Sequence, residues 1–132
     1  MSVFVDTSAL YALLSRTDEN HRAAAAAFPE LRRRGPLVTH NYVVVEAAAL
    51  VHRRLGSAAV RALLDDLLTP VEVVWVDPDL HAVAQAVFLA GARRRGVSLV
   101  DRVSFETMRR HGIAAAFAFD PDFASEGFEL IP

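Results

Sequence analysis

The sequence predicts an α/β fold in which a parallel sheet is covered by helices on both faces, and three observations lead there. Short apolar runs alternate with stretches of helical period along most of the chain, the pattern of repeated strand–helix units. The run at 113–119 (IAAAFAF) has no polar alternation, as expected of a strand buried on both sides. Acids stand just past strand ends at Asp6 and Asp120, where open α/β sheets place their ligand crevice.

The elements follow in order. Residues 3–5 make a short strand, and TSALYALL at 7–14 resumes at helical period, with Asp6 or Thr7 suited to cap it. A second helix spans 18–35, bent or interrupted at Pro29 and closed by Arg32, Arg33, Arg34 and Gly35. After a brief strand at 37–39, a third helix starts at His40 or Asn41 and reaches Leu55 before Gly56. A fourth covers 57–68, a turn at Pro70 leads to a strand at 71–76, and Asp77 with Pro78 opens a fifth that runs to Arg95 and Gly96. Ser98 caps the sixth, which runs from Leu99 to Arg110 and stops at Gly112; Arg109, Arg110 and His111 fill its last turn, where cations suit the dipole. Strands at 113–119 and 128–131 complete the sheet.

Composition narrows the function. At 132 residues the chain reads as one domain over 1–132, long enough to enclose a core. With 53% hydrophobic and 23% charged residues and no apolar run near 18 residues, it reads as globular and without a membrane span. Cysteine is absent, which removes thiolate chemistry and cysteine-ligated zinc and points to a reducing compartment; with no signal peptide visible, the expected location is cytoplasmic. All 14 basic residues are arginine, so Walker-type phosphate binding and Schiff-base catalysis are closed to it. The formal net charge of -2 gives no global attraction to nucleic acid, so a polyanion would be held by local arginines or by metal ions.

Four acids stand out. Asp6 and Asp120 follow strands. Asp101 lies in the first turn of the sixth helix, on the side of Phe105 and Met108. Glu46 is the only charge in YVVVEAAALV at 42–51, so it must be at least partly buried and needs a partner: an arginine such as Arg53, or a metal. A doubly wound sheet can gather these elements at one rim. Carboxylates so crowded repel one another, and a divalent cation relieves the strain. Oxygen-only ligation favours Mg²⁺ or Mn²⁺ over Zn²⁺, because the histidines are scattered and read as surface or packing residues. Such a site suits phosphodiester hydrolysis.

VFVDTSAL at the start, the isolated glutamate of the third helix, RRRGVSLVDRVSFETMRRHGI and AFAFDPDF together resemble the PIN-domain ribonucleases, and among them the VapC-type toxins of toxin–antitoxin pairs. The resemblance spans essentially the whole chain. It implies a three-layer fold with strand order 3-2-1-4-5, Mg²⁺- or Mn²⁺-dependent cleavage of RNA, a homodimer and inhibition by a cognate antitoxin. It assigns Asp6, Glu46, Asp101 and Asp120 to the four acidic positions, Thr7 and Ser8 to the supporting hydroxyls, and Asp122 to a further acid of the last motif. Arg93, Arg94 and Arg95, leading into Ser98 and Asp101, are the arginines best placed for RNA; the clusters at 32–34, 53–54 and 109–110 also sit where helix ends favour cations.

Other readings remain open at this stage. An aspartyl-nucleophile phosphatase needs a second acid where Ser8 stands and a lysine that the chain lacks. A PIN nuclease of RNA processing fits the same motifs without the toxin role. A non-enzymatic binding or scaffold module requires the four acids to be scattered as caps and ion pairs. With a mean hydropathy of +0.26, apolar surface should be left over on the helices at 7–14, 42–51 and 57–68 for a second copy or an antitoxin segment.

Overall fold

The computed structural model describes residues 1–91 and 96–132. Its strands are β1 (Val3–Val5), β2 (Leu37–His40), β3 (Val71–Val74), β4 (Ala115–Phe117) and β5 (Glu129–Ile131), in spatial order β3-β2-β1-β4-β5. Every pairing is parallel, as the unbroken apolar runs require. Strand order reverses between β1 and β4, so the chain ends of these two strands meet at the switch point where such sheets hold ligands.

The helices are α1 (Thr7–Leu14), α2 (His21–Arg34), α3 (Asn41–Leu55), α4 (Ser57–Arg61), α5 (Pro78–Ala90), α6 (Leu99–His111) and α7 (Asp122–Ser125). Register shows that they cover both faces. Phe4 pairs with Val38 and Ala116, and neighbours in a sheet share a face. Phe4 meets His40 and Phe123, and Phe123 packs edge-on against Phe105 of α6 at 4.9 Å, which places α6 and α7 on that side. Phe117, one step out of phase, stacks on Phe28 of α2, which lies on the other side. Phe4, Phe105, Phe117 and Phe123 are all fully buried.

Several boundaries differ from the sequence reading, each for a local reason. β4 is shorter than the 113–119 run, because only 115–117 pair on both sides while Phe119 donates its N–H to a side chain. α2 begins at His21, since Asp18 is spent in a turn whose Oδ1 accepts the Asn20 N–H at 2.8 Å. Pro29 does not break that helix. The segment at 57–68 splits into α4 and a π-helical turn at Ala62–Leu67. α5 stops at Ala90, and Arg93, Arg94 and Arg95 lie outside the described residues. α7 was not anticipated. Asp77 caps α5 as expected, accepting the Leu80 N–H at 2.7 Å.

The leftover apolar surface is also distributed differently. No large apolar side chain of α1 is exposed, whereas Val45 on α3 and Leu64 in the π-helical turn are, and Trp75 just past β3 is 76% exposed.

Phe123 links the sheet, α6 and the loop that follows β4 through its contacts with Phe4 and Phe105. Phe123→Ala should therefore cost about 3–5 kcal/mol, read as a lowered urea midpoint with an unchanged slope. A cost below about 1 kcal/mol would mean that this ring is not an anchor.

Candidate active site

Asp6, Asp101 and Asp120 sit at or just past the ends of elements, and Glu46 projects from within α3. Asp6 closes β1 and caps α1: its Oδ2 accepts the Ser8 N–H at 3.1 Å and the Ser8 hydroxyl at 2.6 Å. The same Ser8 oxygen accepts the Phe119 N–H at 3.0 Å, and the Asp6 N–H donates to the Phe117 carbonyl at 3.1 Å. Ser8 thereby joins the ends of β1 and β4 around the carboxylate. Asp6 is 4% exposed, and burial pushes its carboxyl up to about 7 against the pull of the Ser8 bonds, with Asp101 and Glu46 adding repulsion.

Glu46 is half-buried on α3, and its Oε1 accepts the Thr7 hydroxyl at 2.6 Å. Among the described residues no arginine pairs with it, although Arg53, two turns on, lines the same cleft. The partner of the lone glutamate is a neutral donor, which sequence reasoning did not consider because Thr7 lies on another element.

Asp101 and Ser98 form a reciprocal capping box at the start of α6, with the Ser98 N–H on Asp101 Oδ2 at 2.8 Å and the Asp101 N–H on Ser98 Oγ at 3.1 Å. Burial pushes Asp101 up to about 6, with Asp120 and Glu46 raising it further and the Ser98 bonds opposing. Asp120 accepts the Asp122 N–H at 2.9 Å and is held above the ordinary carboxylate range, chiefly by burial. The Ser98 contribution was legible from the Ser-x-x-Asp spacing, where the sequence reading saw only a cap.

These side chains converge. A cleft of about 530 Å³ is lined by Asp6, Thr7, Ser8, Glu46, Asp101 and Asp120. Carboxylate oxygens of Asp101, Asp120 and Asp122 all lie within 4.8 Å of one another. Asp6 and Asp101 have capping roles, yet all four acids line one cleft, so the scattered arrangement that a scaffold module requires is not found. Hard anionic oxygens at this spacing, raised in proton affinity chiefly by burial, suit a divalent cation. A second hollow of about 430 Å³ on the outside of α3 and α4, lined by Ala48, His52 and Arg61 among others, holds no acid.

The described arginine clusters serve the fold. Arg33 pairs with Glu30, Arg32 lies over Phe28, and Arg54 lies over Tyr11. Arg109 meets Glu126 and the face of Phe128, while Arg110 bridges Asp79 and Glu106.

The PIN domain family model matches residues 3–128, which hold β1 to β4 and every acid of the cleft. The chain is 40% identical over 128 residues to the 23S rRNA-specific endonuclease VapC20 of Mycobacterium tuberculosis, in strains CDC 1551 and H37Rv, covering 96% of this chain and 95% of that protein. The crystal structure of Mycobacterium tuberculosis VapC20, a sarcin–ricin loop cleaving toxin, superposes with a TM-score of 0.85 at 36% identity, over 98% of this chain and 99% of that one. VapBC2 from Rickettsia felis, bound to a promoter DNA fragment, shares the fold at a TM-score of 0.72 and 11% identity, over 98% and 97% of the two chains. Sheet order, acidic rim and relatives agree: this chain belongs to the PIN-domain family of nucleases.

Proposed function

We propose that this chain is a Mg²⁺- or Mn²⁺-dependent endoribonuclease, the toxin of a toxin–antitoxin pair, whose substrate is the sarcin–ricin loop of 23S rRNA. The observation that carries the chemistry is the convergence of Asp6, Glu46, Asp101 and Asp120 on one cleft at the switch point of the sheet. The target is supported by 40% identity to VapC20 along nearly the whole of both chains.

Asp101, Asp120 and Asp122 are the ligand set closest together, and Asp6 and Glu46 complete the anionic wall of the cleft. When bound, the cation lowers the pKa of a water, engages phosphate oxygens and stabilises the leaving oxygen of an in-line displacement. Thr7 and Ser8 hold Glu46 and Asp6 in place as hydroxyl donors, which fixes the oxygens without cancelling their charge. Arg53 on the cleft wall, with Arg93, Arg94 and Arg95, supplies cations for the RNA backbone. The exposed Val45, Leu64 and Trp75 offer apolar surface for a second copy of the chain and for the antitoxin. A cytoplasmic location fits an RNA substrate and a composition without cysteine.

Asp101→Asn and Asp6→Asn keep the side-chain shape and remove the charge. Each should lower Mg²⁺-dependent cleavage of a sarcin–ricin stem–loop RNA by at least about 10²-fold, since such sites lose that much when one ligand is lost. Cutting of that stem–loop and no cutting of an unrelated hairpin supports the target; uniform cutting of both would reject it. Full activity in Asp6→Asn would reject the site.

Between pH 5 and pH 8 the metal-free protein should lose stability, because Asp6 and Asp101 outweigh the buried His40, whose lowered value of about 4 acts in the opposite direction. The Asp6 carboxyl titrates near 7 when folded against 3.8 as the ordinary value, so between those limits the folded chain binds more protons than the unfolded one. The stabilisation present below pH 4 is lost through pH 7, by on the order of 2–4 kcal/mol for Asp6, and Asp101 acts in the same direction up to about 6. Urea midpoints in EDTA at pH 5 and pH 8 measure this. Saturating Mn²⁺ should restore the loss at pH 8, and Asp6→Asn should flatten the slope. A metal-free wild type more stable at pH 8 than at pH 5 would contradict the account.

A further inference from the structure

We infer that Thr39 and His40, at the end of β2, are positioning residues that hold three acid-bearing elements in fixed relation, and that the His40–Ser104 hydrogen bond sets where Asp101 stands relative to Glu46. This rests on the nuclease reading above. The Thr39 hydroxyl donates to the Val5 carbonyl at 2.8 Å, extending the β1–β2 contact past its last register pair, Phe4 with Val38, to the residue before Asp6. His40 is wholly buried and caps α3, its Nδ1 accepting the Val43 N–H at 3.3 Å.

That cap decides the tautomer. Nδ1 must present its lone pair, so the proton is on Nε2, which donates to the Ser104 Oγ at 2.8 Å. The Ser104 hydroxyl in turn donates a hydrogen bond to the Val100 carbonyl at 3.0 Å on α6. Every donor and acceptor in the relay is used once. An imidazolium would have to abandon the Val43 bond, and burial holds the ring neutral, with its pKa lowered to about 4. Phe4 and Tyr42 flank the imidazole, with ring centroids 5.7 Å and 5.9 Å away.

Glu46 follows His40 by less than two helical turns on α3, and Asp101 precedes Ser104 by one turn on α6. Among the described residues no other side-chain hydrogen bond joins α3 or its cap to α6. A shift of the order of 1 Å between two ligand-bearing helices is enough to cost a metal site much of its affinity and an enzyme much of its rate.

Two variants break the bond from opposite sides. Ser104→Ala deletes one hydroxyl from a helix that favours alanine. His40→Asn keeps a side chain that caps well but is too short to reach α6. Mn²⁺ binding to the free protein is measured by calorimetry, alongside the Mg²⁺ concentration for half-maximal RNA cleavage and metal-free melting. Each single variant should weaken Mn²⁺ binding about tenfold and raise the Mg²⁺ requirement in step, with the double variant no worse than the weaker single. A residue serving stability alone would lower the melting temperature and leave cation binding as it was. Wild-type Mn²⁺ affinity in Ser104→Ala, or effects that multiply in the double variant, would overturn the inference. A wild type that binds Mn²⁺ and cuts no RNA would sink the nuclease reading, while the calorimetric comparison would still decide this one.

Discussion

Repulsion among carboxylates held at one rim is the constraint on which the rest of the structure depends. Asp6, Glu46, Asp101 and Asp120 line one cleft, and the proton affinities of Asp6, Asp101 and Asp120 are raised. Burial is the first cause in each case, so the frame both crowds the charges and withholds water from them. The supports that it does provide are neutral: the hydroxyls of Thr7 and Ser8, the amide and hydroxyl of Ser98, and the Asp122 N–H. An arginine in place of Thr7 would have satisfied Glu46 and cancelled its charge. Neutral donors orient oxygens and leave the rim anionic, which is what a cation site needs. The N-terminus of α6, at Asp101, adds a fixed favourable dipole without adding a charge that competes.

The sheet makes that crowding possible. Because β1 and β4 are neighbours at the reversal of strand order, Asp6 and the loop holding Asp120 start from adjacent strands. Two hydrogen bonds continue the β1–β4 pairing past its regular end, Asp6 N–H to Phe117 and Phe119 N–H to Ser8. Phe123 then pins the loop beyond Asp120 to Phe4 beneath it. Apolar packing below the rim therefore opposes electrostatic repulsion at the rim, and the cost is tolerated because the aromatic layer under it is fully buried.

What could be read from the sequence was whatever local rules encode. Asp6, Asp101 and Asp120 are visible as acids at element ends, and Glu46 as a charge on an apolar helix, so the acidic rim was legible. Strand order came from the family resemblance, since alternation alone fixes parallel pairing and leaves order open. Pairings between distant residues were not legible. Thr7 with Glu46 and His40 with Ser104 lie 39 and 64 residues apart, and nothing in either neighbourhood marks the partner. The sequence reads His40, like the other scattered histidines, as a surface or packing residue and a candidate start of the third helix; it is packed, it caps that helix, and it also bridges to α6. The 113–119 run misled in length, because burial on both faces extends beyond the residues that make strand hydrogen bonds.

An acidic rim faces a polyanionic substrate, and the net charge of -2 offers no compensation at long range. RNA binding and cation binding are therefore coupled at this cleft: neither phosphate nor carboxylate tolerates the other without a shared counter-charge. Of the described arginines, those at 32–33, 54 and 109–110 are committed to ring faces or to glutamate and aspartate partners. Arg53 is the one that lines the acidic cleft itself. Among the described residues the wall is made of carboxylates, hydroxyls and the Arg53 guanidinium, which gives few donors with which to read bases and favours recognition by shape.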